Sequence, residues 1–317
     1  MSRALIVGID HYQSSPLKGC VGDAKSMAAS LSRHQDGQKN FFCMTCTSDE
    51  REITRSYLLN KIRKLFEAES DLALFYFSGH GYDNKLGGLL VTQEAKTHAD
   101  GVDLDDILTM ANKATHIKQI FIILDCCHSG NMGNPPLGNG YSSLLRKNIS
   151  ILTSSQSEEE SVERKGRGVF TYALLNGLNG GAADLMGNVT AASLYSYVDN
   201  ILGPWDQRPV FKSHVNQMYP LRKCNCTLSL NCVRQLMAHF PEVDHQFKLD
   251  PSYEPTSEPA NCDREAIFSQ LQRYVSVGGL IRAVDCEHLY HAATESKSCE
   301  LTPIGKMYWH MVRNEKI

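Results

Sequence analysis

Residues 4–9 form a short, β-branched and almost unbroken apolar run, the pattern of a strand buried on both faces of a parallel sheet. Similar runs return at residues 71–77 and 119–124, each followed by a turn that contains glycine, and residues 149–153 are a fourth. Between them the period changes. Residues 23–33, 53–67 and 104–114 predict helices, the second with Leu58, Leu59, Ile62, Leu65 and Phe66 gathered on one side. Strand alternating with helix predicts an α/β domain, a mostly parallel sheet with helices on both faces. In such sheets chemistry collects where the strands end at their carboxyl edge.

The pattern changes near residue 223. Residues 241–261 are rich in proline and acid with little apolar periodicity, so 223–261 reads as a Cys-containing, Pro-rich acidic linker. Residues 262–317 regain order. Ile267, Phe268, Leu271, Tyr274 and Val275 mark a helix over 264–275, and Thr302-Pro303 supplies the cap and first position of a last helix through Val312. Residues 289–293 and 299–301, around a polar turn, predict a hairpin. Helix, hairpin and helix predict a small α+β, winged-helix-like module. The expected division is therefore a domain over 1–222, the linker, and the module over 262–317.

Composition narrows the classes. At 317 residues and a net charge of -3, two domains are expected and no global basic field points to nucleic acid. Acidic and basic residues balance within 262–317, which lacks the footprint of a DNA-binding module. Eleven cysteines, an odd count, fit reduced thiols better than a disulfide framework. The first residues turn polar at Asp10 before an export signal could form, and no run reaches the length of a membrane span. The expectation is a cytoplasmic protein with no membrane partner.

Two motifs close apolar strands, Phe77-Ser78-Gly79-His80-Gly81 and Leu124-Asp125-Cys126-Cys127-His128-Ser129-Gly130. A His at one strand end and a Cys about 50 residues later is the arrangement in which a thiolate finds its base across a sheet edge. Cys126 and Cys127 cannot share a role, because strand neighbours point to opposite faces and only one thiol can face His80.

Together these motifs resemble the caspase-like cysteine peptidases, most closely their metacaspase and orthocaspase branch. The likeness spans residues 3–214. It takes in Leu17-Lys18-Gly19-Cys20-Val21-Gly22-Asp23-Ala24 at the opening of the first helix, Leu152-Thr153-Ser154-Ser155-Gln156, residues 168–178 and Gln207-Arg208-Pro209. It implies a caspase-hemoglobinase-like three-layer sandwich. It implies Cys127 as nucleophile, His80 as base and later acid, and the N–H groups of Gly81 and Cys127 as the oxyanion hole. Cys126 then falls to packing. Cys20, Asp23, Ser78 and Asp125 resemble the acidic specificity pocket of metacaspases, which pairs with Arg or Lys before the scissile bond and disfavours Asp.

Further expectations follow from these residues. Arg164, Lys165 and Arg167 in a polar Gly-bearing loop, with Arg146 and Lys147, are candidate processing sites in a latent zymogen, and an activating protease or regulatory protein is the expected partner. Asp103, Asp105 and Asp106 keep calcium open as a cofactor, against the reading that they decorate a helix N-terminus; the residues assign no resident metal or cofactor. Cys43-x2-Cys46 and Cys224-x-Cys226-x5-Cys232 lack the second half of a zinc site. The leading function is a monomeric endopeptidase in regulated proteolysis such as cell-death or defence signalling. The alternative is an inactive caspase-like scaffold that recruits partners through its C-terminal module.

Overall fold

The chain starts in the middle of a sheet: β1 (Ser2–Gly8) lies between β2 (Phe41–Thr47) and β3 (Leu72–Ser78), parallel to both, with α1 (Cys20–Ser32) and α2 (Arg55–Glu67) as the crossovers. The computed structural model describes residues 1–84, 87–96, 100–126, 145–154, 163–164, 167–202, 208–256 and 258–317. After β3 a small antiparallel sheet of β4 (Gly81–Asn84), β5 (Gly87–Val91) and β6 (Gly101–Asp103) leads into α3 (Leu104–Lys113). The main sheet resumes with β7 (Gln119–Asp125) and β8 (Ile149–Thr153). A short ribbon, β9 (Glu163–Arg164) with β10 (Arg167–Gly168), then opens α4 (Val169–Asn176). The first unit is completed by β11 (Asn188–Val189), α5 (Ala191–Leu202), β12 (Val210–His214) and β13 (Arg222–Lys223). The six-stranded order is β12-β8-β7-β3-β1-β2, parallel except for β12.

The unbroken apolar runs have the cause inferred from the sequence. Successive residues face opposite sides of the sheet, and both sides are covered. Leu5, Val7, Phe75, Phe77, Ile122 and Leu124 pack with residues of α2 and α3. Ala4, Ile6, Leu74, Tyr76, Phe121 and Ile123 pack with residues of α1, α4 and α5. β2 did not stand out in the sequence, because Phe42 on this edge strand is exposed and the run is broken by Thr45. Its Cys43 and Cys46, three apart on a strand, point to opposite cores and cannot share a metal ion. Burial pushes the Cys43 thiol up to about 11.

The second unit comprises residues 184–187 and 225–317. It contains α6 (Leu230–Arg234), α7 (Leu236–His239), β14 (Gln246–Lys248), α8 (Cys262–Gly278), β15 (Ile281–Ala283), α9 (Leu289–Thr294), β16 (Ser298–Leu301) and α10 (Pro303–Arg313). Two sequence expectations are corrected here. The linker read over 223–261 is folded: Leu228, Val233, Leu236, Phe240 and Leu249 share one core with Phe268, Tyr274 and Trp309. Its prolines and acids sit at turns and caps, and Asp250 pairs with Arg264. The hairpin read over 289–301 does not form, because Leu289, Ala292 and Ala293 bury at helical spacing in α9. Instead β16 is the middle strand of an antiparallel sheet ordered β14-β16-β15, so among the described residues no hairpin stands where a winged helix has its wing. The last helix starts as expected, with the Thr302 hydroxyl accepting the Gly305 N–H at 3.1 Å and Pro303 in its first turn.

Candidate active site

Register brings the strand ends to one level, since Gly8 pairs with Ser78 and Ser78 with Asp125. The residues that follow emerge together at the carboxyl edge, where an α/β sheet offers unpaired backbone and space for chemistry. His80 is held there from three directions. Its backbone N–H donates to the Tyr12 hydroxyl at 2.9 Å, its carbonyl accepts the Val91 N–H at 3.0 Å, and its Nε2 lies 2.6 Å from the Ser15 carbonyl. The Tyr12 ring packs against the imidazole at a tilt of 52°, with centroids 4.6 Å apart. Tyr12 in turn donates to the Val91 carbonyl. A carbonyl can only accept, so Nε2 carries the proton and Nδ1 of the neutral ring is the basic nitrogen. Burial pushes the Tyr12 phenol well above its ordinary value, keeping it a donor. A Cβ at Gly79 would collide with the Tyr12 hydroxyl and crowd the Phe77 ring, so a larger residue there would displace the group that holds the His80 N–H. Ser15 presents its carbonyl from the left-handed region, at φ 58°.

The acidic residues gather at the same edge. Asp10 accepts the Cys20 and Val21 N–H groups at 2.8 and 3.2 Å, so it is Asp10 that satisfies the start of α1. Asp23 reaches across the chain: buried to 2% exposure, it accepts the Gly168 N–H at 3.0 Å. Asp125, also buried, accepts the Thr171 hydroxyl at 2.6 Å, and the Tyr76 hydroxyl lies 2.6 Å from that same oxygen of Thr171. A Cβ built on Gly168 would stand 2.7 Å from one oxygen of Asp125 and 3.1 Å from one of Asp23. The two carboxylates therefore converge on a single glycine. Burial, and then the charges of Asp125 and Asp23, push the Tyr76 phenol well above its ordinary value. Cys20 and Ser78 are buried at this edge, the first in the opening turn of α1 and the second in register with Asp125.

The family model of the caspase domain matches residues 1–221, more than half of the chain. The chain belongs to the caspase-domain family. The mostly parallel sheet, edged by antiparallel β12 and flanked by helices, is the caspase-type α/β sandwich. Among curated relatives, Metacaspase-3 of Trypanosoma cruzi is 27% identical over 165 residues, covering 46% of this chain and 45% of the relative. Metacaspase-3 of Arabidopsis thaliana is 29% identical over 150 residues, covering 42% of this chain and 41% of the relative. The chain thus spans under half the length of the curated relatives it matches. Among solved structures, caspase-1 of Spodoptera frugiperda superposes with a TM-score of 0.52 at 16% identity, covering 71% of this chain and 90% of that one. A protein of Geobacter sulfurreducens gives 0.51 at 19% identity, covering 71% and 99%.

In this caspase domain Cys126 is 1% exposed and packs with Leu124 and Ile122 in the core against α2 and α3, the face opposite Asp125. Its carbonyl accepts the Ser154 hydroxyl. Cys127 lies outside the described residues, as do Lys165 and the side chains of Arg164 and Arg167. Gly81 opens β4 opposite Leu90. Arg146 is tied to the end of α3, its N–H to Asn112 Oδ1 and its Nη2 to the Ala114 carbonyl, each at 3.0 Å, whereas Lys147 is exposed.

The residues named for calcium do not form an oxygen-only set. Arg55 already stands between Asp103 and Asp106, at 3.8 and 3.5 Å, and donates to the Gly101 carbonyl at 2.7 Å. Asp105 is exposed on α3. Among the described residues no three His, Cys, Asp or Glu side chains are placed to hold a metal ion, and no helix is long and apolar enough to cross a membrane. Cys224 donates to the Leu178 carbonyl and Cys226 to the Met186 carbonyl, while Cys232 is buried in the core of the second unit.

Sequence reasoning missed Asp10, Tyr12, Ser15, Gly168 and Thr171 as site residues. One signal was available: an acid and a phenol directly after the first apolar strand stand at the edge where α/β sheets do their chemistry.

Proposed function

We propose that the chain is a cysteine endopeptidase that cleaves after Arg or Lys. The observation that carries this reading is the convergence of Asp23 and Asp125 on Gly168, at the edge that also holds His80. Two carboxylates buried this closely repel each other, and a guanidinium or ammonium between them offsets that cost while forming charge-assisted hydrogen bonds. An acidic side chain has no such compensation.

In this reading His80 Nδ1 takes the proton of the Cys127 thiol, the thiolate attacks the scissile carbonyl carbon, and the N–H groups of Gly81 and Cys127 receive the developing oxyanion. His80 then returns the proton to the leaving amine, and water releases the acyl group from Cys127. The contact from Nε2 to Ser15 supports the required tautomer. The enzyme is proposed to be cytoplasmic, monomeric, free of a resident metal, and latent until cut at Lys147, Arg164 or Lys165 by itself or an activating protease; a cut after Arg167 would instead free the Gly168 nitrogen beside Asp23. Arg146 is a poorer site because both its backbone and its guanidinium are engaged.

The test is hydrolysis of peptides carrying Arg, Lys or Asp before a fluorogenic leaving group by wild type, Cys127→Ala and Cys126→Ala, with and without calcium. Turnover of the Arg and Lys peptides that vanishes only in Cys127→Ala supports the reading. Turnover of the Asp peptide alone overturns the specificity. Silence in every lane, persisting after limited trypsin treatment, overturns the peptidase reading in favour of a scaffold.

A further inference from the structure

Thr171 and Tyr76 lie behind the acidic pair, on the α4 side of the sheet. Thr171 is fully buried, and its hydroxyl is 2.6 Å from Asp125 Oδ2 and 2.6 Å from the Tyr76 hydroxyl. The direction of the bonds follows from the proton inventory. An ionised carboxylate only accepts, so the single proton of Thr171 goes to Asp125. Tyr76 must then donate to Thr171. The result is a directed chain, from the Tyr76 hydroxyl to the Thr171 hydroxyl to the Asp125 carboxylate.

Both members are locked in place. Tyr76 is fully buried in the middle of β3 between β1 and β7, and Thr171 sits in the first turn of α4. Three positions upstream of Thr171, the Gly168 N–H holds Asp23. One short segment, Gly168 to Thr171, therefore grips both carboxylates, one through its backbone and one through a side chain. The free energy of such a chain exceeds that of its separate links, because each donor polarises the next inside a low-dielectric interior. The Tyr76 phenol, pushed far above its ordinary value by burial, is protonated and able to donate at all physiological pH.

We infer that Thr171, held by Tyr76, is a positioning residue for basic-side-chain specificity: it holds the Asp125 carboxylate in the rotamer that receives the guanidinium or ammonium of the substrate. This rests on the Arg/Lys reading above. Thr171 does not touch the substrate and acts through Asp125. It matters for binding a cation, and for the acid limb of that binding, more than for the bond-breaking step.

The experiment compares wild type, Thr171→Val, Thr171→Ser and Tyr76→Phe in the 317-residue chain. The readouts are Arg-peptide kinetics across pH and the inhibition constant of agmatine, which carries the guanidinium without a scissile bond. Removing the Thr171 hydroxyl is expected to weaken agmatine and raise KM by roughly tenfold to a hundredfold, the range for a hydrogen bond to a charged group, with little change in kcat. It is also expected to move the acid limb of kcat/KM to higher pH, since an unsupported Asp125 takes up a proton more readily. Thr171→Ser keeps the donor and is expected to restore most of the binding. Tyr76→Phe gives a smaller loss in the same direction.

Wild type that neither cleaves Arg or Lys peptides nor binds agmatine sinks the specificity reading itself. Wild type that binds agmatine, with Thr171→Val folded by circular dichroism yet unchanged in KM, agmatine binding and acid limb, overturns the positioning role alone. A Thr171→Val protein that fails to fold is replaced by the Thr171→Ser and Tyr76→Phe pair. Equal binding losses in those two, or no loss in Tyr76→Phe, also overturn the role.

Discussion

The imidazole of His80 meets the main-chain carbonyl of Ser15, Nε2 to oxygen at 2.6 Å, and Ser15 adopts a left-handed backbone to present it. A main-chain oxygen does here what a carboxylate does for many histidines. It selects the tautomer and leaves Nδ1 as the basic nitrogen, without adding a charge that would compete with the acidic pair.

Tyr12 is expected to act on catalysis without touching the substrate. Tyr12→Phe keeps the ring against His80 but removes the acceptor for its N–H and the donor to Val91. Leaving these groups unpaired is expected to cost about 1–3 kcal/mol of stability, read as a lower urea midpoint. A fall in kcat with little change in KM should accompany it. An unchanged urea midpoint together with an unchanged kcat would count against the positioning of His80 by Tyr12.

Cys126 and Cys127 are separable by experiment. Cys126 is sealed in the core on the face away from Asp125, so Cys126→Ala is expected to lose about 1 kcal/mol of stability and keep its peptidase activity. Abolished turnover in a folded Cys126→Ala protein would reverse the assignment of the nucleophile.

Gly168→Ala places a methyl group against Asp125 Oδ2, 2.7 Å away in the native geometry. Overpacking of this kind costs about 1–3 kcal/mol. The carboxylates and α4 must separate, so the expected result is a raised KM for Arg and Lys peptides and weaker agmatine binding. Retention of both would mean that the pair does not need its present spacing.

Cleavage between Arg167 and Gly168 would replace the amide N–H held by Asp23 with an α-ammonium of pKa about 7.7–8. The nicked enzyme then supplies its own cation to the acidic pair. A variant whose residues 162–167 are replaced by the recognition sequence of a protease that leaves Gly168 first is expected to show a higher KM for Arg peptides after cutting, most clearly below pH 7.7. Equal KM before and after cutting would exclude this competition.

Lys212 lies on the edge strand β12, and burial lowers its ammonium to about 8. Between pH 8 and about 10.4 the unfolded chain binds the proton and the folded one does not, so stability rises with pH across that window. Below pH 8 both states are charged and the full cost is present. After discounting for its partial exposure, the stability of wild type relative to Lys212→Met is expected to rise by about 1 kcal/mol between pH 7 and pH 10, measured by urea unfolding. A difference independent of pH would indicate packing and not charge.

The strands could be read from the sequence because each is buried on both faces, and such a run needs no partner to be recognised. β2 escaped because an edge strand is buried less evenly, and α9 was taken for a strand because five residues carry either period. His80, Asp23 and Asp125 were legible as polar residues placed at strand and helix ends. The contact of Ser15 with His80 joins residues 65 positions apart, that of Thr171 with Asp125 joins residues 46 apart, and that of Gly168 with Asp23 joins residues 145 apart. Local propensity carries no record of such pairs. By itself the sequence determined where the buried strands run and which polar residues follow them at the carboxyl edge. Only the tertiary structure decided which hydroxyl, carbonyl and amide hold them, because those bonds depend on the register of β1, β3 and β7 and on where α4 packs.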